Sequence, residues 1–166
     1  MANFSFDIES DFSVMEMTNA LDQTKREISQ RYDFKGTDSS IDFDEDKKGL
    51  ILIGDSDYKV DAMIDIIESK MVKRELSLKI LDKSGPKEYA SGDMVRQKII
   101  FKKGMDKEKA KKITKIIRDA YPKTKPQIQG DTIRVVSPSK DDLQGVMALL
   151  KSDSSIDIPL QFTNYR

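Results

Sequence analysis

The most concentrated positive charge in the chain lies between residues 102 and 125. This segment holds ten Lys or Arg residues and three acids. Four of its cations recur at spacings of three and four, which places them on one face of a helix: Lys107, Lys111, Lys115 and Arg118. Such a stripe would neutralise the phosphates of an anionic ligand. The alternative is a solvated helix face with acidic partners one turn away, which the small number of acids disfavours.

A second candidate site lies where a strand meets the start of this helix, at residues 102–106. Free backbone N–H groups and the helix dipole favour an anion there. Lys103 adds a charge, and Gly104 would let a phosphate approach the backbone. The alternative is that Gly104 only turns the chain and Asp106 caps the helix.

The run of residues 31–36 forms a third candidate site. It combines two cations, two aromatics and one acid before a glycine: Arg31, Tyr32, Asp33, Phe34, Lys35 and Gly36. The aromatics could stack on a base, the cations could hold a phosphate, and the acid could accept a hydrogen bond from a base or ribose. The alternative is a helix C-terminus that the glycine ends and the aromatics fasten to the core.

Polar residues of the second half form a fourth candidate surface. They lie on predicted strands: Gln127, Gln129, Thr132, Arg134 and Thr163. Gln and Arg side chains on an open sheet could contact base edges or ribose. The strand 132–136 has no aromatic residue, however, unlike the sheet of an RNA-recognition motif. The alternative is a solvated or covered polar sheet face.

Composition argues against catalysis. The chain has no Cys and no His, so it lacks a thiolate nucleophile and the commonest general base and metal ligand. The acidic run at 42–46 lacks the spacing of a calcium loop, and no Walker loop is present. We therefore expect no catalytic residue, no metal and no cofactor. With no run of about 18 apolar residues and no signal-peptide pattern, we expect a cytoplasmic protein that does not enter a membrane.

The predicted strands and helices that carry these residues form one pattern that occurs twice along the chain. The first copy has strands at 4–9, 40–46, 49–54 and 76–81, with helices after Ser13 and Asp55. The second has strands at 95–102, on both sides of Gly130 and at 158–164, with helices after Asp106 and Ser139. Residues 82–94 read as a linker. A βαββαβ unit is ferredoxin-like, so the expected class is α+β with two antiparallel sheets.

The two copies carry opposite net charge. Residues 1–93 hold 13 Lys or Arg and 21 Asp or Glu, a net of −8. Residues 94–166 hold 16 and 8, a net of +8. This contrast suggests that one half was adapted to an anionic partner.

Several runs of sequence resemble a known family. They are Ser5-Phe6-Asp7-Ile8, the 31–36 run, Ala110 to Lys115, Gln127 to Gly130, Lys140 to Gln144, and Gln161 to Arg166. In this order they are similar to the YajQ family of bacterial nucleotide-binding proteins. The resemblance implies two ferredoxin-like domains that exchange their first strands. Residues 11–102 would then form an acidic domain that borrows strand 95–102, and residues 1–10 with 103–166 a basic one.

The resemblance and the residues together predict a non-catalytic nucleotide-binding protein. Its ligand would be a nucleotide, a cyclic dinucleotide or RNA, contacted by the basic domain and the 31–36 loop. Because exchanged strands within one chain satisfy both sheets, we expect a monomer. The alternative is a protein-interaction adaptor whose acidic half binds a basic protein partner.

Overall fold

The computed structural model of the chain describes residues 3–90 and 92–166. It divides into two compact units: unit 1 comprises Met1–Phe12 and Lys103–Arg166, and unit 2 comprises Ser13–Lys102. In chain order the elements are β1 (Phe4–Glu9), α1 (Val14–Gln30), β2 (Ser40–Phe43), β3 (Gly49–Gly54), α2 (Asp57–Lys73), β4 (Leu81–Asp82), β5 (Glu88–Ala90), β6 (Met94–Phe101), α3 (Lys107–Ala120), β7 (Lys125–Gln129), β8 (Thr132–Ser137), α4 (Lys140–Ser152) and β9 (Gln161–Thr163). The predicted α+β class with two ferredoxin-like units is confirmed.

The first strands of the two copies are exchanged. β1 lies inside the sheet of unit 1, whose order is β7-β8-β1-β9. β6 lies inside the sheet of unit 2, whose order is β2-β3-β6-β4, with β5 also paired to β6. All of these pairings are antiparallel. Each sheet therefore has an exchanged strand at an interior position, which confirms the exchange that the family resemblance implied.

Alternation along the strands buries one face of the unit 1 sheet. Phe6 and Ile8 of β1 and Ile133 and Val135 of β8 are fully buried against the two helices. The partners from α3 are Ala110, Ile113 and Ile117. Residues between these strand positions point to the opposite face, because successive side chains of a strand alternate. Asp7 and Arg134 therefore lie on the face of the sheet opposite the two helices, and the outward side of α3 does not pack against the sheet.

Two predictions of local structure were wrong in unit 2. Residues 76–81 form a short 3₁₀ turn at Leu78–Ile80 and join a strand only at β4, because the Ser77 hydroxyl accepts the N–H of Lys79 and closes a turn. The predicted linker at 82–94, apart from residue 91 outside the described residues, contains β5. It pairs with β6 and so belongs to the unit 2 sheet. The strands predicted at 40–46 and 158–164 are shorter, at β2 and β9.

The exchange also changes the distribution of charge. Unit 1 contains 13 Lys or Arg and 11 Asp or Glu, and unit 2 contains 16 and 18. The net charges of the folded units are therefore +2 and −2, where the halves of the sequence have +8 and −8. β1 and its flanks bring acids into unit 1, and the segment up to Lys102 brings cations into unit 2. A site for an anion must therefore be located by local charge, since net charge hardly separates the units.

Candidate functional site

Helix α3 forms where the sequence places its cap. The Asp106 carboxylate accepts the backbone N–H of Lys109 at 2.8 Å, which satisfies a donor at the helix start. Four residues of the helix are buried: Ala110, Ile113, Thr114 and Ile117. The Thr114 hydroxyl donates to the carbonyl oxygen of Ala110 at 2.7 Å. With these residues facing the sheet, the cations of α3 lie on its outer side.

The cations of α3 fall into two groups. Lys109 pairs with Asp157, and the Lys112 ammonium donates to the carbonyl oxygen of Ser155. These two lysines fasten the helix to the segment that leads into β9. The other group, Lys107, Lys111, Lys115 and Arg118, is called the α3 stripe below. Its members are exposed and have no ion-pair or hydrogen-bond partner for their side chains among residues 3–90 and 92–166.

Three members of the α3 stripe line a groove between α3 and β7. The groove has a volume of about 440 Å³ and is lined by Lys111, Thr114, Lys115, Arg118, Asp119, Pro126, Gln127 and Ile128. We call it the α3–β7 groove. β7 is an edge strand, so alternate backbone N–H and C=O groups of the strand lack a partner in the sheet. The groove therefore combines cations on one wall with backbone groups and apolar side chains on the other.

A row of polar residues crosses the sheet of unit 1 at a single register. Gln127 of β7 faces Arg134 of β8, Arg134 faces Asp7 of β1, and Asp7 faces Thr163 of β9. Arg134 Nε lies 3.0 Å from Asp7 Oδ1, and the Asn164 amide donates to Asp7 Oδ2 at 2.8 Å. The hydrogen bond from Arg134 lowers the pKa of Asp7, and burial of the carboxylate opposes it only in part. Arg134 is thus already paired within the sheet.

The expected anion site at residues 102–106 is occupied by the chain itself. The N–H of Gly104 donates to the carbonyl oxygen of Ser10 at 2.8 Å, and the helix start is capped by the Asp106 carboxylate. Gly104 adopts a positive φ of 93°, so its role is to turn the chain. Lys103 is exposed beside this turn and does not line the α3–β7 groove. The contacts at residues 102–106 are those of the turn-and-cap alternative, and the anion site there stays a prediction.

The 31–36 loop lies in unit 2, and several of its polar groups form hydrogen bonds within that unit. Arg31 donates to both carboxylate oxygens of Asp33 at 3.0 and 2.8 Å, which lowers the pKa of Asp33. The Lys59 ammonium donates to the backbone carbonyl of Asp33. Phe34 is only 4% exposed beneath the Arg31 guanidinium, so little of its ring is open to a ligand. Tyr32, in contrast, is 90% exposed.

A second groove, the unit 2 groove, lies between α1, the 31–36 loop and β2. Its volume is about 540 Å³, and it is lined by Lys25, Ile28, Ser29, Phe34, Lys35, Gly36, Thr37, Ser39, Ser40, Ile41 and Asp42. Lys25 Nζ lies 2.5 Å from Asp42 Oδ1, so the α1 lysine in this groove is paired. Lys35 is exposed at its rim.

Comparison with known proteins shows which family the sequence matches. Residues 4–166 match the family described as nucleotide-binding protein YajQ-like. A nucleotide-binding protein of Prochlorococcus marinus is 50% identical over 165 residues, which cover 99% of this chain and 98% of the relative. Relatives with the same description from Chloroherpeton thalassium and Chloroflexus aggregans are 47% and 48% identical, covering 99% and 98% of this chain and 99% and 97% of theirs.

The chain belongs to the YajQ-like nucleotide-binding protein family. The family resemblance drawn from the sequence is therefore confirmed. No helix in the described part of this YajQ-like chain is long and apolar enough to cross a membrane. The same described residues contain no group of three or more acids arranged to hold a metal ion.

The structure sorts the sequence-predicted residues of this YajQ-like protein into three places. Lys111, Lys115, Arg118 and Gln127 come together in the α3–β7 groove. Lys107 continues the stripe outside the groove lining, and Gln129 and Arg134 lie on the polar face of the sheet. The Arg31 to Lys35 residues belong to the other unit. Four of the predicted residues therefore share one groove, residues 31–35 lie in the other unit, and a role in nucleotide binding stays a prediction for all of them.

Four residues of the α3–β7 groove were missed: Thr114, Asp119, Pro126 and Ile128. Thr114 and Asp119 are neighbours of predicted cations on the helix, so the helical period could have found them. Pro126 and Ile128 are the neighbours of Gln127 along the edge strand β7, so a groove that includes Gln127 could have been expected to include them.

Proposed function

We propose that this protein binds a nucleotide-type ligand in the α3–β7 groove of unit 1 and catalyses no reaction on it. The ligand class is a nucleotide, a cyclic dinucleotide or an RNA strand, and the α3 stripe contacts its phosphates. The names of the relatives support the nucleotide class, since each is called a nucleotide-binding protein. The finer assignment to this groove is supported by the residues that line it.

The observation that carries the proposal is the lack of partners for the groove cations. Within the described part of the chain, the side chains of Lys111, Lys115 and Arg118 make no ion pair, although Lys109 and Lys112 on the same helix are engaged. Three like charges on adjacent turns repel one another, which costs a few tenths of a kcal/mol per i,i+4 pair. A bound phosphate removes this repulsion and supplies the missing acceptors.

The opposite wall suits the rest of a nucleotide. Ile128 is 43% exposed and offers an apolar surface for the face of a base. The unpaired backbone groups of the β7 edge offer a donor and an acceptor for a base edge. The arrangement lacks the stacked aromatics of an RNA-recognition motif, so we expect phosphate contacts to dominate affinity and sequence preference to be weak.

Binding without catalysis follows from the chemistry of the lining. The chain contains no His and no Cys, and Asp119 is the only carboxylate among the groove residues. Asp119 lies beside Lys115 and Arg118 in the lining, so its carboxylate serves charge balance rather than proton transfer in this proposal. We place the protein in the cytoplasm of a bacterium, acting as a monomer on soluble nucleotide or RNA.

Fluorescence anisotropy with a labelled single-stranded RNA tests the proposal. Lys115→Glu with Arg118→Glu should weaken binding and lower the salt slope by about 1 to 2, because two phosphate contacts are lost. The matched control is Lys47→Glu with Lys48→Glu, which makes the same charge change on the exposed turn between β2 and β3. Competition with a cyclic dinucleotide then shows whether the two ligands share a site.

The control separates local contacts from net charge. If both double variants weaken binding equally, the RNA responds to net charge and the groove assignment fails. If neither variant changes binding, the site lies elsewhere in the chain. Absence of binding to RNA and to the dinucleotide at low salt would remove the proposed function altogether.

A further inference from the structure

The two units share a strand order, so positions in one have counterparts in the other. β8 ends two residues before the N-cap of α4, and β3 ends two residues before the N-cap of α2. Counting back from these ends makes Arg134 of β8 the counterpart of Ile51 of β3. Across the edge pairs, Gln127 faces Arg134 and Asp42 faces Ile51. Gln127 and Asp42 therefore hold the same place in the two sheets.

The first helices supply a second pair of counterparts. Thr24 of α1 and Thr114 of α3 are buried, and each hydroxyl donates to the carbonyl oxygen of the Ala four residues earlier, at 2.8 and 2.7 Å. The residue after each Thr is a lysine that lines the groove of its unit, Lys25 in unit 2 and Lys115 in unit 1. The two grooves are thus the same place in a duplicated fold.

At these shared places the charges differ. In the unit 2 groove Lys25 is paired with Asp42 at 2.5 Å. In the α3–β7 groove Lys115 is unpaired among the described residues, and the counterpart of Asp42 is the neutral Gln127. A carboxylate oxygen on a lysine ammonium takes the position that a phosphate oxygen would otherwise take.

We infer that this single sheet position decides which groove accepts the phosphate: Gln127 leaves the α3–β7 groove open to an anion, and Asp42 fills the unit 2 groove with an anion of the chain itself. The inference rests on the proposed function, because it names the residue that selects between two grooves for the same ligand chemistry. It makes the unit 2 groove a latent second phosphate site.

The rest of the unit 2 groove is suited to a phosphate once the carboxylate is neutral. Lys25 and Lys35 supply two cations, and the Ser39 and Ser40 hydroxyls are further donors along the same lining. Asp42 is the only acid among these residues. Neutralising it frees Lys25 and removes the one like charge that a phosphate would meet there.

Reciprocal substitutions test the inference with inorganic tripolyphosphate as the probe. Asp42→Asn opens the unit 2 groove, and its control is Asp46→Asn, the same change on the exposed turn of the hairpin outside the lining. Gln127→Asp closes the α3–β7 groove, and its control is Gln129→Asp, two residues along the strand and also outside the lining. Titration calorimetry counts the bound probes, and amide NMR shifts locate them.

We expect the unsubstituted chain to bind one tripolyphosphate and the Asp42→Asn variant to bind two, with new amide shifts in residues 35–40. Gln127→Asp should weaken the original site about tenfold or more, since Lys115 gains an internal partner. Both controls should behave as the unsubstituted chain. A single site in Asp42→Asn, or unchanged affinity in Gln127→Asp, overturns the inference.

The proposed function and the role of Asp42 can be disproved separately. If the unsubstituted chain binds no probe and Asp42→Asn binds one in the unit 2 groove, the proposed function fails while the role of Asp42 is supported. If the unsubstituted chain binds in the α3–β7 groove and Asp42→Asn adds nothing, the proposed function stands and the inference is wrong. If no variant binds, both are wrong.

Discussion

The first helices of the two units, α1 and α3, occupy the same place in the fold and use their charges differently. On α1, Glu16 pairs with Arg74, the residue that follows α2, at 3.2 Å. Glu27 pairs with Lys70 of α2 at 2.9 Å. On α3, the α3 stripe has no such partners within the described residues. A charged helix face thus joins two helices in unit 2 and stays exposed in unit 1. Pairing in the fold, rather than the charge content of a helix, marks the candidate site.

The units also differ in how the chain builds them. Unit 2 is one continuous segment, Ser13–Lys102, and contains β6 as its interior strand. Unit 1 needs β1 from the start of the chain, with the rest of the unit after Lys102. The exchange of strands is therefore asymmetric in its consequences: a fragment can contain all of unit 2, but none shorter than almost the whole chain contains unit 1.

The difference between the two units should be greatest when each is tested as a separate fragment. A fragment of residues 13–102 should fold alone. A fragment of residues 103–166 should not fold, because it lacks the interior strand β1, whose Phe6 and Ile8 belong to the core of unit 1. Cutting at residue 88 should unfold both pieces, since it separates β6 from unit 2. Circular dichroism melts and NMR dispersion measure the outcome.

A synthetic peptide of residues 3–12 serves as the control for that experiment. Adding it to fragment 103–166 should restore a cooperative transition, and a peptide with Phe6→Asp should not. Cooperative folding of 103–166 without the peptide would show that β1 is dispensable.

Acid should affect the unit 1 sheet through Asp7. Its pKa is lowered in the folded state, so the stability it contributes is complete above the unfolded pKa and is lost as pH falls through the folded pKa. Asp7→Asn should cost about 1 to 3 kcal/mol at neutral pH, because the buried carboxylate accepts from Arg134 and Asn164. Urea unfolding at neutral and acidic pH tests this, and the cost should shrink in acid. A cost that is independent of pH would assign the effect to packing.

Neutralising charges on α1 and α3 should have opposite effects on stability. Glu16→Gln with Glu27→Gln removes three partly exposed ion pairs, since Glu27 also pairs with Arg31, and should lower the free energy of unfolding by about 0.5 to 1 kcal/mol. Lys111→Gln with Lys115→Gln removes an i,i+4 repulsion and should raise it by a few tenths of a kcal/mol. Urea midpoints of the two double variants give the comparison. Equal losses would mean that the α3 stripe has stabilising partners.

The α3 stripe could be predicted from the sequence, because residues spaced three and four apart lie on one face of a helix. It could not show that Lys109 and Lys112 are engaged, since their partners Asp157 and Ser155 lie more than forty residues away. The burial of Phe34 depends on packing within unit 2 in the same way. Local patterns therefore predict which residues share a face, and tertiary contacts decide which of them remain open to a ligand.

The pairing register of the strands could not be predicted from nearby residues either. Gln127, Arg134 and Thr163 were singled out as one polar surface, but the residue that joins them, Asp7, lies at the other end of the chain. Only the exchanged strand brings it between β8 and β9. Family resemblance, which implied that exchange, therefore supplied what periodicity could not.

The smallest expected effect concerns the apolar surfaces of the two candidate regions. Tyr32 in the 31–36 loop is 90% exposed and Ile128 in the α3–β7 groove is 43% exposed, so either could contact a base. If the groove is the site, Ile128→Ala should weaken binding of the labelled RNA about fivefold through lost apolar contact, and Tyr32→Ala should leave it unchanged. Neither change should alter the urea midpoint much, because both side chains are exposed. The reverse result, with weaker binding by Tyr32→Ala, would place the base-binding site in unit 2, where the Arg31 guanidinium already contacts the Phe34 ring.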